Sequence, residues 1–191
     1  MTFETDKYIT IKNGINKDMV EFLKIQTKMF EKSLCINNNI NIKEKYYFSD
    51  SDVTECFSYY APLFSESLLI LLHPIIEQIT GKQLYPTYSY IRIYYNNAIL
   101  NKHVDRESCE YSVTVCIKND IKPWELWFKN TNNENVSISL NEGDFIVYKG
   151  MELEHWREKY NGCEQIQFFL HYVDKNGLNS EWKYDKRHLI C

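Results

Sequence analysis

The segment NKHVDRESCEYSVTV, residues 101–115, sets His103 and Asp105 two positions apart, just ahead of an alternating apolar run. In an extended strand, side chains two apart project from one face, so an imidazole and a carboxylate can aim at one point. A second imidazole, His155, follows a glycine turn and an apolar strand in GDFIVYKGMELEHWRE, residues 143–158. A lone His-x-Asp is weak, because a surface histidine beside a loop acid is spelled the same way. The separate His155 segment strengthens it, since the chain holds only five histidines. Two neutral imidazoles and one carboxylate suit a divalent first-row metal and leave coordination positions open.

Such donors need a frame. From Tyr85 onward the chain turns aromatic and β-branched: YPTYSYIRIYY (85–95), YSVTVCIKN (111–119), WELWFKN (124–130), NVSISL (135–140), DFIVYK (144–149), LEHWRE (153–158) and EQIQFFLHYV (164–173). Turn signals such as NN, KNTNNEN, NEGD and YNG separate these runs. Seven short strands without intervening helices indicate a sandwich or closed antiparallel architecture. Upstream, residues 16–34 carry apolar side chains at helical spacing with Asn16 as cap, and residues 61–79 spell a second helix that Pro74 could kink or divide. Between them, residues 35–52 read as an Asn-rich loop. The expectation is one domain over residues 1–191 of α+β class, mainly β. Residues 1–84 form a helical support, 85–174 the β core and 175–191 a tail.

Tyrosine supplies 15 residues of this 191-residue, 22.9 kDa chain, a density that suits strands and half-wet cavities. A net charge of -4 without a Lys/Arg run argues against a nucleic-acid binder held by phosphate contacts. The start, MTFETDKYITIKNG, has no apolar leader, and no segment reads as long enough to cross a membrane. The expectation is a soluble, cytoplasmic protein. Six cysteines (Cys35, Cys56, Cys109, Cys116, Cys163, Cys191) form no CxxC pair, so reduced thiols are expected rather than disulfides or a zinc knuckle. Cys109 and Cys116 read as small hydrophobes.

The order His-x-Asp, strand, Gly-Asp-apolar strand, second His resembles the 2-oxoglutarate/Fe(II)-dependent oxygenases, in particular their small prolyl-hydroxylase-like branch. NEGDFIVYKGMELEH is similar to that family's turn, strand and distal histidine, and YIRIYYNNAILNKHVD to the strand and loop entering its proximal motif. The resemblance covers residues 85–174. It implies a double-stranded β-helix, the jelly roll shared with cupins, with Fe(II) held by His103, Asp105 and His155. It further implies 2-oxoglutarate and dioxygen as cosubstrates. The reaction would be hydroxylation of an amino acid, a peptide side chain or another small molecule, releasing succinate and carbon dioxide. Retention of Asp105 favours hydroxylation, because related halogenases carry a small residue there.

One part of the pattern differs. The branch places a basic residue roughly nine to twelve positions after the distal histidine to clamp the keto acid's far carboxylate. Here that window holds Cys163, Glu164, Gln165, Ile166 and Gln167. Tyr94 stands at the position of the family's cosubstrate tyrosine, with Arg92 two residues earlier, and Arg157 shares a strand face with His155. Lys118 stands where the asparagine-hydroxylase-like branch carries its lysine. Gln165, Gln167 and His171 alternate along the last strand. Arg157 or Arg92, assisted by Tyr94, is the expected clamp, with Gln167 on the same inner face. Arg106 and Glu110 could orient substrate or close a loop salt bridge. Trp124, Trp127 and Trp156 could line the mouth or pack the core. Substrate selection is expected in residues 35–60 and 96–102. Two other readings stay open: a cupin-like metal dioxygenase without 2-oxoglutarate, and a non-catalytic jelly-roll binding module.

Overall fold

The alternating runs become paired strands in the computed structural model, which describes residues 2–37, 53, 55–120 and 122–190. The strands are β1 (Tyr8–Ile11), β2 (Cys56–Tyr60), β3 (Leu84–Tyr95), β4 (Leu100–His103), β5 (Tyr111–Lys118), β6 (Leu126–Lys129), β7 (Asn135–Ile138), β8 (Phe145–Tyr148), β9 (His155–Arg157) and β10 (Glu164–Asp174). They form two antiparallel sheets, one of six strands in the order β1-β8-β5-β10-β3-β2 and one of four in the order β4-β9-β6-β7. The helices are α1 (Phe3–Asp6), α2 (Lys17–Asn37) and α3 (Leu63–Thr80). The chain is thus mainly β with a few helices.

Period-two alternation sorts the six-stranded sheet into two faces. On β10, Ile166, Phe168, Leu170 and Tyr172 join Ile91 and Ile93 of β3 and Val113 and Val115 of β5 in the main core. Helices cover this face: Leu23 of α2 and Leu68, Leu69, Leu72 and Ile76 of α3 belong to the same cluster. The alternate residues of β10 are Gln165, Gln167, Phe169 and His171, and the three polar ones are buried. Cys116, Ile146 and Tyr148 of the large sheet meet Leu126 and Phe128 of β6 in a second cluster that joins the sheets. Each such fully buried apolar side chain contributes about 1.5–3 kcal/mol.

Asn16 caps α2 as expected, its side-chain oxygen accepting the Met19 N–H at 2.9 Å. Gly81 ends α3 in the left-handed conformation (φ 66°), where glycine has no Cβ penalty. Pro74 sits inside α3 without dividing it. By length and composition α3 is apolar enough to cross a membrane, which corrects the expectation that no segment is. Here it packs along β3 and β10. Its buried Glu66 accepts from the Ser89 N–H and hydroxyl, both at 2.7 Å, and pairs with Arg187 at 2.9 Å.

The first third contributes two strands besides helices. β1 pairs with β8 and β2 with β3, each at an outer position of the large sheet. Short edge strands carry too few alternations to stand out in sequence. Most of the expected loop over residues 35–52 lies outside the described residues. The tail is tied to the body. Besides the Arg187–Glu66 pair, Asp185 accepts from Arg106 at 3.0 Å and from the Tyr60 hydroxyl at 2.6 Å. Five cysteines are free, four of them buried: Cys35, Cys56, Cys109 and Cys116.

Candidate metal centre

β4 ends on His103 and β9 begins on His155, and the pairing of the two strands sets these residues directly opposite one another. Their rings lie 4.3 Å apart between centroids. Asp105 follows two residues past β4, its backbone N–H donating to Gly150 O at 2.9 Å. One donor atom from each of His103, Asp105 and His155 falls within 4.8 Å of the others. Asp105 Oδ1 stands 3.7 Å from His103 Nε2 and 3.6 Å from His155 Nε2. Both distances exceed a hydrogen bond, so the three face a common point without binding one another.

Hydrogen bonds on the far side of each donor fix its lone pair. His103 Nδ1 bonds to Asn101 O at 2.8 Å and His155 Nδ1 to Leu153 O at 2.9 Å. A carbonyl only accepts, so each Nδ1 carries the proton and each Nε2 presents a lone pair. Asp105 Oδ2 accepts from the Ser112 hydroxyl at 2.6 Å, which leaves Oδ1 for an ion. Burial opposes ionisation of Asp105. The imidazoles of His155, His171 and His103 and the Ser112 hydrogen bond outweigh it, so the carboxyl is held below its usual range. Burial also pulls His155 below the ordinary imidazole value against the attraction of Asp105, which keeps it neutral and ready to ligate.

Gly150 makes this approach possible. A Cβ there would strike Asp105 Oδ2, Cys109 O and Ser112 Oγ far inside van der Waals contact. Gly150→Ala is expected to displace Asp105 and cost about 1–3 kcal/mol by overpacking. Chemical denaturation and a metal titration of the same variant check it; unchanged values of both would show that Asp105 has room to spare.

The triad opens into a cleft of about 580 Å³ lined by residues that include Tyr88, Tyr90, Arg92, Thr114, Tyr148 and His171. Arg92 lies over the rings of Tyr90 (5.3 Å) and Phe169 (5.6 Å), and its NH1 reaches Tyr94 Oη at 3.5 Å. Arg157 is 1 % exposed and does not line this cleft, but it shares β9 with His155 and its charge bears on that imidazole. It donates to Trp124 O and lies 5.0 Å over the Trp124 ring, while its Nε has no partner. Among the described residues no carboxylate pairs with it. Burial pulls the guanidinium below its ordinary value, against the smaller opposing influence of the Tyr94, Cys116 and Tyr148 side chains. Tyr94 is fully buried with its ring 5.0 Å from Trp124. The amides of Gln165 and Gln167, buried on β10, make no close hydrogen bond, Gln167 lying beside the Cys116 thiol. A buried cation without a counter-charge and two unsatisfied amides are costly unless a ligand completes them.

Other expected site residues have partners that occupy them. Lys118 pairs with Glu164 at 2.8 Å and Glu110 with Lys149 at 3.3 Å, while Arg106 holds Asp185. Trp127 stacks on Trp156, and Trp124 on Arg157; none of the three lines the cleft. Ser112 was not legible in advance, because its place depends on the β5–β10 register that sets it opposite His171.

The donor set fits a ferrous ion, and the orphaned guanidinium and amides fit a carboxylate. No protein-family model matches the chain, and no curated protein matches its sequence. Solved structures do match in shape. A Pseudomonas putida prolyl-4-hydroxylase superposes with a TM-score of 0.70 at 12% identity, over 90% of this chain and 95% of that one. A Trichoplax adhaerens prolyl hydroxylase, solved with a hypoxia inducible factor peptide fragment, gives 0.70 at 12% identity over 91% and 86%. HygX from Streptomyces hygroscopicus, solved with nickel, 2-oxoglutarate and hygromycin B, gives 0.67 at 12% identity over 91% and 85%. The chain has the fold of these 2-oxoglutarate/Fe(II) oxygenases.

Proposed function

We propose that this protein is a 2-oxoglutarate- and Fe(II)-dependent dioxygenase that hydroxylates an amino acid, a peptide side chain or another small molecule. Its two sheets are then the walls of a double-stranded β-helix. The observation that carries the reading is the pairing of an open His-Asp-His donor set with a buried, uncompensated guanidinium on the same strand as one of its ligands. His155 and Arg157 alternate on β9 and so share a face, as do Gln165 and Gln167 on β10.

His103, Asp105 and His155 would hold the iron at three positions and leave the others to cosubstrate and dioxygen. Arg157, with the Gln165 and Gln167 amides and the Tyr94 hydroxyl, would hold the far carboxylate of 2-oxoglutarate. Trp124 backs the guanidinium and keeps water from it. Together, bound iron and keto acid supply an oxidative decarboxylation that yields succinate and carbon dioxide and oxidises a substrate carbon. The protein's own part is to orient both ligands and to admit substrate through the cleft beside Tyr88 and His171. Fold neighbours have been solved with a peptide fragment and with hygromycin B bound, which supports those two substrate classes.

The test is an anaerobic titration followed by oxygen exposure. Ferrous protein is expected to bind 2-oxoglutarate and to form succinate slowly without added substrate. Oxygen uptake without succinate would favour a metal dioxygenase that uses no keto acid. Failure to bind either iron or 2-oxoglutarate would sink the proposal.

A further inference from the structure

We infer that His171 reads the substrate, its Nε2 accepting a hydrogen bond from an N–H or O–H group borne next to the carbon to be oxidised. The inference rests on the oxygenase reading for the identity of that ligand as substrate. Its physical basis is a count of protons along one buried chain of contacts.

The Ser112 hydroxyl owns a single proton. Asp105 Oδ2 lies 2.6 Å from it and Cys109 O lies 3.2 Å from it, and both only accept. The shorter, charge-assisted bond to the carboxylate takes the proton. Ser112 Oγ also meets His171 Nδ1 at 3.0 Å, so that nitrogen must donate. His171 is buried, and burial pushes its pKa down to about 4 against the pull of Asp105, so the ring is neutral near pH 7. A neutral imidazole with its proton on Nδ1 has a bare lone pair on Nε2.

That lone pair has no partner among the described residues, although His171 lines the same cleft as Asp105 and His155. The neighbouring hydroxyls and thiol engage one another and Tyr148 also reaches Ser112, whereas Asp185, whose carboxylate bears on the ring, keeps its Oδ1 without a hydrogen bond. Tyr88 Oη meets Cys109 Sγ at 3.1 Å, and Thr114 Oγ1 meets Tyr148 Oη at 3.5 Å. The Tyr88 ring, centred 4.7 Å from the His171 ring, keeps the imidazole from turning freely. His171 therefore offers the cleft a fixed acceptor that the metal donors do not use. A site built around such an acceptor discriminates strongly against analogues that lack the donor, because the acceptor is then left unpaired.

The test uses the full chain, labelled with 15N-histidine and loaded with Zn(II) and 2-oxoglutarate. The His171 resonances are expected to report the Nδ1–H tautomer, and Ser112→Ala to mix the tautomers. Ethylene glycol and acetamide are the donor probes; 1,2-dimethoxyethane and N,N-dimethylacetamide are their capped counterparts. The donor probes are expected to shift the Nε2 resonance, and the capped pair to leave it in place. Saturation transfer to the donor probes should survive in His171→Gln, whose amide oxygen still accepts, and fall at least roughly tenfold in His171→Phe. An Nε2–H tautomer, equal shifts from both pairs, or no shift from any probe would overturn the inference. Keto-acid binding, read separately by calorimetry, shows whether the oxygenase reading itself has failed.

Discussion

Asp105→Ala protein is expected to bind Fe(II) more than about 100-fold more weakly than the parent and to form no measurable succinate. Loss of a partner that merely orients a ligand already costs about 10- to 100-fold in metal affinity, and Asp105 is itself a donor. It is also the only carboxylate in the triad, so its removal leaves two neutral imidazoles facing a divalent cation. The fold should survive. Asp105 stands outside β4, and the β4–β9 pairing that brings His103 and His155 together does not involve its side chain. Ser112 keeps Cys109 O and His171 as partners when the carboxylate is gone. Ferrous or nickel titration with circular dichroism of the same sample checks both halves. Near-parental metal affinity in a folded variant would mean that Asp105 is not a ligand. Ser112→Ala should fall between the two, since it frees Asp105 Oδ2 while leaving Oδ1 in place.

Much of this candidate site was legible because residues able to ligate a metal announce themselves by type and spacing. His103 and Asp105 are two apart, and His155 follows an apolar strand, so their convergence needed only a strand reading. The same period-two rule put Arg157 with His155 and Gln165 with Gln167. What sequence could not supply was register. β4 reads LNKH, too polar and too short to show alternation, yet it aligns His103 with His155. The Asp105–Ser112–His171 chain likewise depends on which residue of β5 faces which residue of β10. The clamp shows the same division. Arg92 and Arg157 were equal candidates by alternation, and only packing separated the half-buried Arg92, set over two rings, from the uncompensated Arg157. β1 and β2 escaped notice for a related reason: they owe their strand state to β8 and β3, not to their own four or five residues.

Arg157→Met should separate a ligand clamp from a structural arginine, because the two roles move stability in opposite directions. As a clamp, Arg157 contributes a charge-assisted hydrogen bond to a carboxylate, about 2–3 kcal/mol. Its loss should raise the dissociation constant of 2-oxoglutarate roughly 30- to 150-fold. Metal affinity should hold, since Arg157 lies two residues beyond His155 and ligates nothing. In ligand-free protein the guanidinium is a buried charge with no carboxylate partner among the described residues, and its Nε is unsatisfied. A methionine of similar length removes that desolvation cost and loses one bond to Trp124 O, so the melting temperature should stay level or rise. Meanwhile the rise in melting temperature that 2-oxoglutarate gives the parent should disappear. Tryptophan fluorescence provides an independent signal, because the Trp124 ring lies 5.0 Å from the guanidinium. A keto-acid response should appear in the parent and be lost in Trp124→Phe as well as in Arg157→Met. A variant that melts several degrees lower yet binds 2-oxoglutarate normally would assign Arg157 to the scaffold. The clamp would then pass to Arg92, the other cation predicted beside Tyr94.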